Sequence, residues 1–130
     1  MPALYIDTSA LGRVLLGERD RAAILQAMDA FDVHVASRLL RIELRRLALR
    51  HGLLGDADQL LAGIGLSPLD DAILTTAETT PPPTVATLDA IHLTTALRLA
   101  DAGALDAIMT YDIRLAEGAQ QHGLTVLAPE

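Results

Sequence analysis

Two short apolar runs end alike, and that ending limits what the chain can become. LYIDTS spans residues 4–9 and AIMTYD spans residues 107–112. In each, three apolar residues give way to hydroxyl side chains and an aspartate, just before a segment with helical spacing. Runs this short and this apolar read as strands buried on both faces. Buried strands alternating with helical segments specify a parallel sheet, because a parallel connection needs a crossover and the crossover is usually a helix. The C-terminal tips of such strands share one edge. Both acids therefore reach the crevice where open α/β sheets bind ligands.

The rest of the chain keeps this alternation. Spacing predicts strands at 3–6, 32–36, 107–110 and 124–128, and a short strand or turn within 64–69. It predicts helices at 9–17, 19–30, 38–51 (ended by Gly52), 56–63, 70–78 (capped by Asp70), 87–101 and 112–122. TTPPPT, residues 79–84, suits neither helix nor central strand and reads as a surface loop. The expected fold class is α/β, a three-layer α/β/α sandwich around a parallel sheet, forming one domain over residues 1–130.

Composition narrows the chemistry. The chain has no Cys, so thiolate catalysis and disulfides are excluded, which suits a reducing cytoplasm. All ten basic residues are Arg, which removes any mechanism that needs a lysine. The net charge of −7 gives no footprint for sequence-independent nucleic-acid binding unless the acids gather around cations. Tyr5, Phe31 and Tyr111 are the only aromatics, too few for a base-stacking platform. Charges interrupt every apolar run before membrane-spanning length, and nothing at the N-terminus reads as a secretory leader. The 51% hydrophobic content then fills a core and an interface with another chain.

Four acids stand where ordinary surface acids do not. Asp7 and Asp112 occupy strand tips, where each also suits a helix cap. Asp89, with Thr87 as the expected cap, falls in the first turn of its helix, where the macrodipole favours an anion. At 100° per residue it heads the apolar stripe of Leu93, Ala96, Leu97 and Ala100. Glu43 lies beside the stripe Leu40, Leu44, Leu47 and Ala48, and an isolated buried carboxylate there costs several kcal/mol. Its bland partner would be Arg46 or Arg50. Four converging carboxylates would repel one another without cations, and oxygen-only ligands select hard ions, Mg2+ or Mn2+. His92, one turn after Asp89, could approach the site, but a lone His is more often a packed or solvated side chain. Asp70 and Asp71 read as helix-start residues.

YIDTSAL, SRLLRIELRRLALR, PLDDAIL, TLDAIHLTTAL and MTYDIRLAEGAQQHGLTVLAP follow one another in an order that resembles PIN-domain proteins, in particular VapC-type toxins of toxin–antitoxin pairs. The resemblance covers nearly the whole chain. It implies an Mg2+- or Mn2+-dependent endoribonuclease that cuts tRNA or ribosomal RNA, is held inactive by a VapB-type antitoxin, and forms homodimers. It carries the family's acidic quartet onto Asp7, Glu43, Asp89 and Asp112 as metal ligands. It also gives Thr110 the task of orienting Asp112 or a metal-bound water. Arg114, two residues past Asp112, is a candidate phosphate contact. On the helix that carries Glu43, Ile42 and Leu49 lie opposite the core stripe, interleaved with Arg38, Arg41 and Arg45. That mixed face is expected to meet another chain or RNA.

Two rival classes remain at this level. A non-catalytic binding module could use the same acids as caps and ion pairs. Phospho-aspartate receivers and phosphatases also place an Asp at a strand tip, but receivers need a Lys, and the phosphatases need an acid where Ser9 stands.

Overall fold

A computed structural model describes residues 2–130. In chain order the elements are β1 (Ala3–Ile6), α1 (Thr8–Leu15), α2 (Arg21–Asp29), β2 (Val33–Ser37), α3 (Leu39–His51), α4 (Leu54–Ala62) and β3 (Gly65–Ser67). There follow α5 (Asp71–Ala77), α6 (Thr87–Asp101), β4 (Ala107–Met109), α7 (Ile113–Gln121) and β5 (Val126–Leu127). The alternation expected from the apolar runs is present, with boundaries shifted by a few residues.

Cap chemistry explains several of those boundaries. Asp7, Asp70 and Asp112 each accept a hydrogen bond from the backbone N–H three residues on, so α1, α5 and α7 all start behind an aspartate. α3 stops at Gly52, whose φ of 69° is the left-handed conformation that glycine adopts without strain. Thr87 departs from expectation: Ala86 is the capping residue, without a side-chain bond, and Thr87 is already helical. Asp89 in the first turn then supplies the favourable charge at that helix end.

All five strands are parallel, in the order β3-β2-β1-β4-β5. The chain builds outward from β1 through β2 to β3, then crosses to the other side for β4 and β5. The order therefore reverses between β1 and β4, the point where such sheets open a crevice. Receivers place β1 between β2 and β3, whereas here it lies between β2 and β4, which removes that rival. Right-handed crossovers put α1–α4 on one face and α5–α7 on the other. Consistently, α1 packs on α2, α3 and α4, while α6 packs on α5 and α7.

The core runs through the middle of the sheet. Leu4, Tyr5, Ile6, Ile108 and Met109 are wholly buried, together with Leu40 and Leu44 of α3 and Leu93 of α6. Burying each aliphatic side chain is worth about 1.5–3 kcal/mol. α7 comes close enough that a Cβ on Gly118 would stand 2.8 Å from Val85 Cγ2. Among the described residues no helix is long and apolar enough to cross a membrane.

Candidate active site

Register brings the first two elements of the site together. Ile6 lies opposite Met109, and the Asp7 N–H donates to the Met109 carbonyl at 3.2 Å, so Asp7 and Thr110 are neighbours across the β1–β4 gap. Side chains alternate along a strand, so Asp7 shares its face of β1 with Tyr5.

Asp7 is 2% exposed and tightly held. Its Oδ1 accepts from Ser9 Oγ at 2.6 Å and from the Ala10 N–H at 3.2 Å, and its Oδ2 accepts from Thr110 Oγ1 at 2.9 Å. Burial pushes its carboxyl above the usual range despite these donors. Ser9 Oγ in turn accepts from the Tyr111 N–H at 2.8 Å, and Thr110 Oγ1 accepts from the Asp112 N–H at 3.1 Å. Thr110 thus orients the Asp7 carboxylate and holds the Asp112 backbone at the start of α7, while Asp112 Oδ1 accepts from the Leu115 N–H as the cap of that helix.

Glu43 reaches the same edge from α3. The Arg46 and Arg50 side chains are turned to solvent and do not pair with it. Its Oε1 instead accepts from Thr8 Oγ1 at 2.7 Å and lies 2.7 Å from His92 Nε2. Burial raises the Glu43 carboxyl, but the bonds to His92 and Thr8 together outweigh it and leave the group below its ordinary value. His92 is 1% exposed, and its Nδ1 lies 2.7 Å from the Tyr5 hydroxyl, the two rings meeting edge to face. His92 is neither bare packing nor solvated, as its spacing alone suggested. Its position one turn after Asp89, which puts both side chains on the same face of α6, was the sign that it could approach the site.

Asp89 is different from its neighbours. It makes no side-chain hydrogen bond among the described residues, and its carboxyl is raised to about 6, by burial first and then by the charges of Asp112, Asp7 and Glu43. The structure therefore brings Asp7, Glu43, Asp89 and Asp112 into one electrostatic site at the strand tips. Three of them sit at helix N-termini, where α1, α6 and α7 add partial positive charge. Arg114 is exposed in the first turn of α7. On the outer face of α3, Ile42 and Leu49 are exposed as expected, but Arg45 is not free: it pairs with Asp58 of α4.

The PIN domain family model matches residues 4–123. Ribonuclease VapC47 of Mycobacterium tuberculosis is 35% identical over 133 residues, covering 97% of this chain and 96% of that protein. The chain belongs to the PIN-domain family. Ribonuclease VapC46 of the same species is 35% identical over 132 residues, covering 99% of each chain. Two solved structures share the fold at lower identity. A toxin–antitoxin complex from Klebsiella pneumoniae superposes with a TM-score of 0.74 at 19% identity, covering 98% of both chains. VapC20 of M. tuberculosis, described as a sarcin–ricin loop cleaving toxin, gives 0.70 at 12% identity, over 88% of this chain and 93% of that one.

PIN-domain ribonucleases are generally metal-dependent, and this site suits a metal by its chemistry. The donors are all oxygen, and Asp89 carries a repulsion that a cation would relieve. Among the described residues no three acidic or imidazole groups form a ready-made cage. Mg2+ does not need one, because it keeps several waters and takes only one or two carboxylates along with substrate phosphates.

Proposed function

We propose that this PIN-domain protein is a metal-dependent endoribonuclease and the toxin of a toxin–antitoxin pair. The observation that carries the reading is Asp89. It is an unpartnered carboxyl raised to about 6 in the field of three other acids, at the point where the strand order reverses. The ribonuclease relatives, similar over almost the whole chain, support the same conclusion. The 130 residues are taken as one such domain.

Asp7, Glu43, Asp89 and Asp112 are assigned as the groups that would hold Mg2+ or Mn2+. A divalent ion supplies Lewis-acid polarisation of the phosphodiester and lowers the pKa of the attacking water. The chain's own part is to fix geometry. Ser9 and Thr110 clamp both oxygens of Asp7, Thr8 donates to one oxygen of Glu43, and the α7 N-terminus clamps one oxygen of Asp112. Such pre-arranged groups need no reorganisation as charge develops on the phosphate. Arg114, exposed two residues past Asp112, is assigned as a contact for a phosphate of the RNA.

The finer assignments are these. The substrate is tRNA or ribosomal RNA in the cytoplasm, and the partner is a VapB-type antitoxin. The outer face of α3, with Arg41, Ile42, Arg45 and Leu49, is its contact surface, and the toxin works as a homodimer. Exposed aliphatics beside arginines suit a protein surface better than a phosphate backbone.

The test is incubation of the purified chain with total RNA, with and without Mg2+, beside Asp7→Asn and Asp89→Asn. Metal-dependent cleavage lost in both variants, with circular dichroism unchanged, is the expected result. Equal cleavage by wild type and variants would remove the assignment.

A further inference from the structure

Behind Glu43 lies a buried chain of polar groups to which the reaction assigned above gives no task. The Ser37 N–H donates to the Tyr5 phenol oxygen at 3.0 Å, the phenol meets His92 Nδ1, and His92 Nε2 meets Glu43 Oε1. Tyr5 is fully buried and His92 nearly so, which keeps both away from RNA and solvent.

Only one arrangement of protons serves every member. Glu43 Oε1 accepts from Thr8, and an ionised carboxylate can only accept, so the proton between Glu43 and His92 belongs to Nε2. Nδ1 is then the acceptor, and the Tyr5 hydroxyl donates to it. The phenol is able to donate because burial keeps its proton on well above the usual tyrosine range. With the opposite tautomer, Nδ1 would donate to Tyr5, whose oxygen already receives the Ser37 N–H. The phenol proton would be left without a partner inside the core, its hydration lost with nothing in exchange.

We propose that His92 is a positioning residue. Backed by Tyr5, and with Thr8 beside it, its Nε2–H locks the Glu43 carboxylate through Oε1 and leaves Oε2 as the oxygen presented to the pocket. Oε2 has no hydrogen-bond partner among the described residues. A long, flexible glutamate side chain loses rotamer entropy when it is fixed. The buried relay fixes it during folding, so that cost is not met again when a cation or substrate arrives. Groups of this kind, standing behind a ligand, typically change metal affinity by about 10–100-fold when removed.

The inference rests on the metal-dependent reading, and the test separates the two. Metal-free protein is titrated with Mn2+ by calorimetry for wild type, His92→Leu, His92→Gln, Glu43→Gln and the His92→Leu/Glu43→Gln double variant. His92→Leu is expected to weaken binding by ~10–100-fold. His92→Gln keeps an N–H near the Nε2 position and should recover most of that loss. In the Glu43→Gln background, His92→Leu should cost nothing further, because no carboxylate remains to be held. Nitrogen NMR of the metal-free wild-type ring should show the proton on Nε2 and none on Nδ1. That spectrum needs no substitution, so it decides the matter even where a variant fails to fold. A proton on Nδ1, undiminished Mn2+ affinity in His92→Leu, or the full loss persisting in the double variant would each overturn the proposal. Wild-type protein that binds no Mn2+ would remove the metal reading and this one with it.

Discussion

The two sides of α3 treat charge in opposite ways. Inward, Glu43 has one oxygen committed to Thr8 and His92 and is one of three acids whose charge acts on Asp89. Outward, Arg38, Arg46 and Arg50 are exposed, Arg45 pairs with Asp58, and Ile42 and Leu49 are 48% and 58% exposed. The contrast follows from the medium. A carboxylate taken out of water must be given donors or lose several kcal/mol, so the inner side is rigid. A solvated guanidinium needs no partner, and its ion pairs contribute about 0–1 kcal/mol, so the outer side can adapt to whatever it meets. One helix thus carries a fixed chemical group on one side and a solvated, adaptable face on the other.

The sharpest way to break this comparison is to neutralise the inner acids. Glu43→Gln or Asp112→Asn is expected to lower Mg2+-dependent RNA cleavage by more than ~100-fold, beyond the range usual for groups that stand behind ligands. Gel assay of wild type and variants measures it, and a loss below tenfold would make the pocket no more committed than the surface. Next comes Thr110→Val, which keeps the shape but removes a donor to Asp7 and an acceptor for the Asp112 N–H. We expect about 2 kcal/mol of lost stability in denaturant unfolding.

A charge swap on the outer face, Arg41→Glu with Arg45→Glu, should weaken binding of the antitoxin by about tenfold, or ~1.4 kcal/mol. Cleavage by free toxin should stay within about twofold, as befits a surface away from the chemistry. Unchanged antitoxin affinity, dimerisation and cleavage would end the assignment of that face.

Asp89 supplies a prediction of opposite sign. Its carboxyl is raised to about 6 from 3.8, so the metal-free fold keeps its full stability below the lower value and loses some as pH rises through the window between them. Asp89→Asn should therefore stabilise metal-free protein at pH 8 by about 1 kcal/mol, after discounting for partial exposure, and have no such effect at pH 3. Thermal melts at the two pH values test this. The smallest effect belongs to Arg45→Ala, which should leave the denaturant midpoint unchanged although it removes an ion pair, because that pair is solvated.

Local chemistry was legible in the sequence because it acts over a few residues. Asp7, Asp70 and Asp112 could be read as helix starts from the aspartate and the spacing behind it, and Gly52 as a helix end, since caps and periodicity are settled within a turn or two. The alternation of buried runs with helices determined a parallel sheet, and the strand-tip acids a common edge. Which partner each acid would find was another matter. Arg46 and Arg50 are near Glu43 in sequence, yet the group that meets it is His92, 49 residues away, and His92 is in turn fixed by Tyr5, 87 residues away. Those contacts exist because α3 and α6 reach the same strand-tip edge and β1 lies between β2 and β4. Strand order and crossover handedness choose among distant partners that local spacing cannot tell apart, and in this protein that choice brought the charges of Asp7, Glu43 and Asp112 to bear on Asp89.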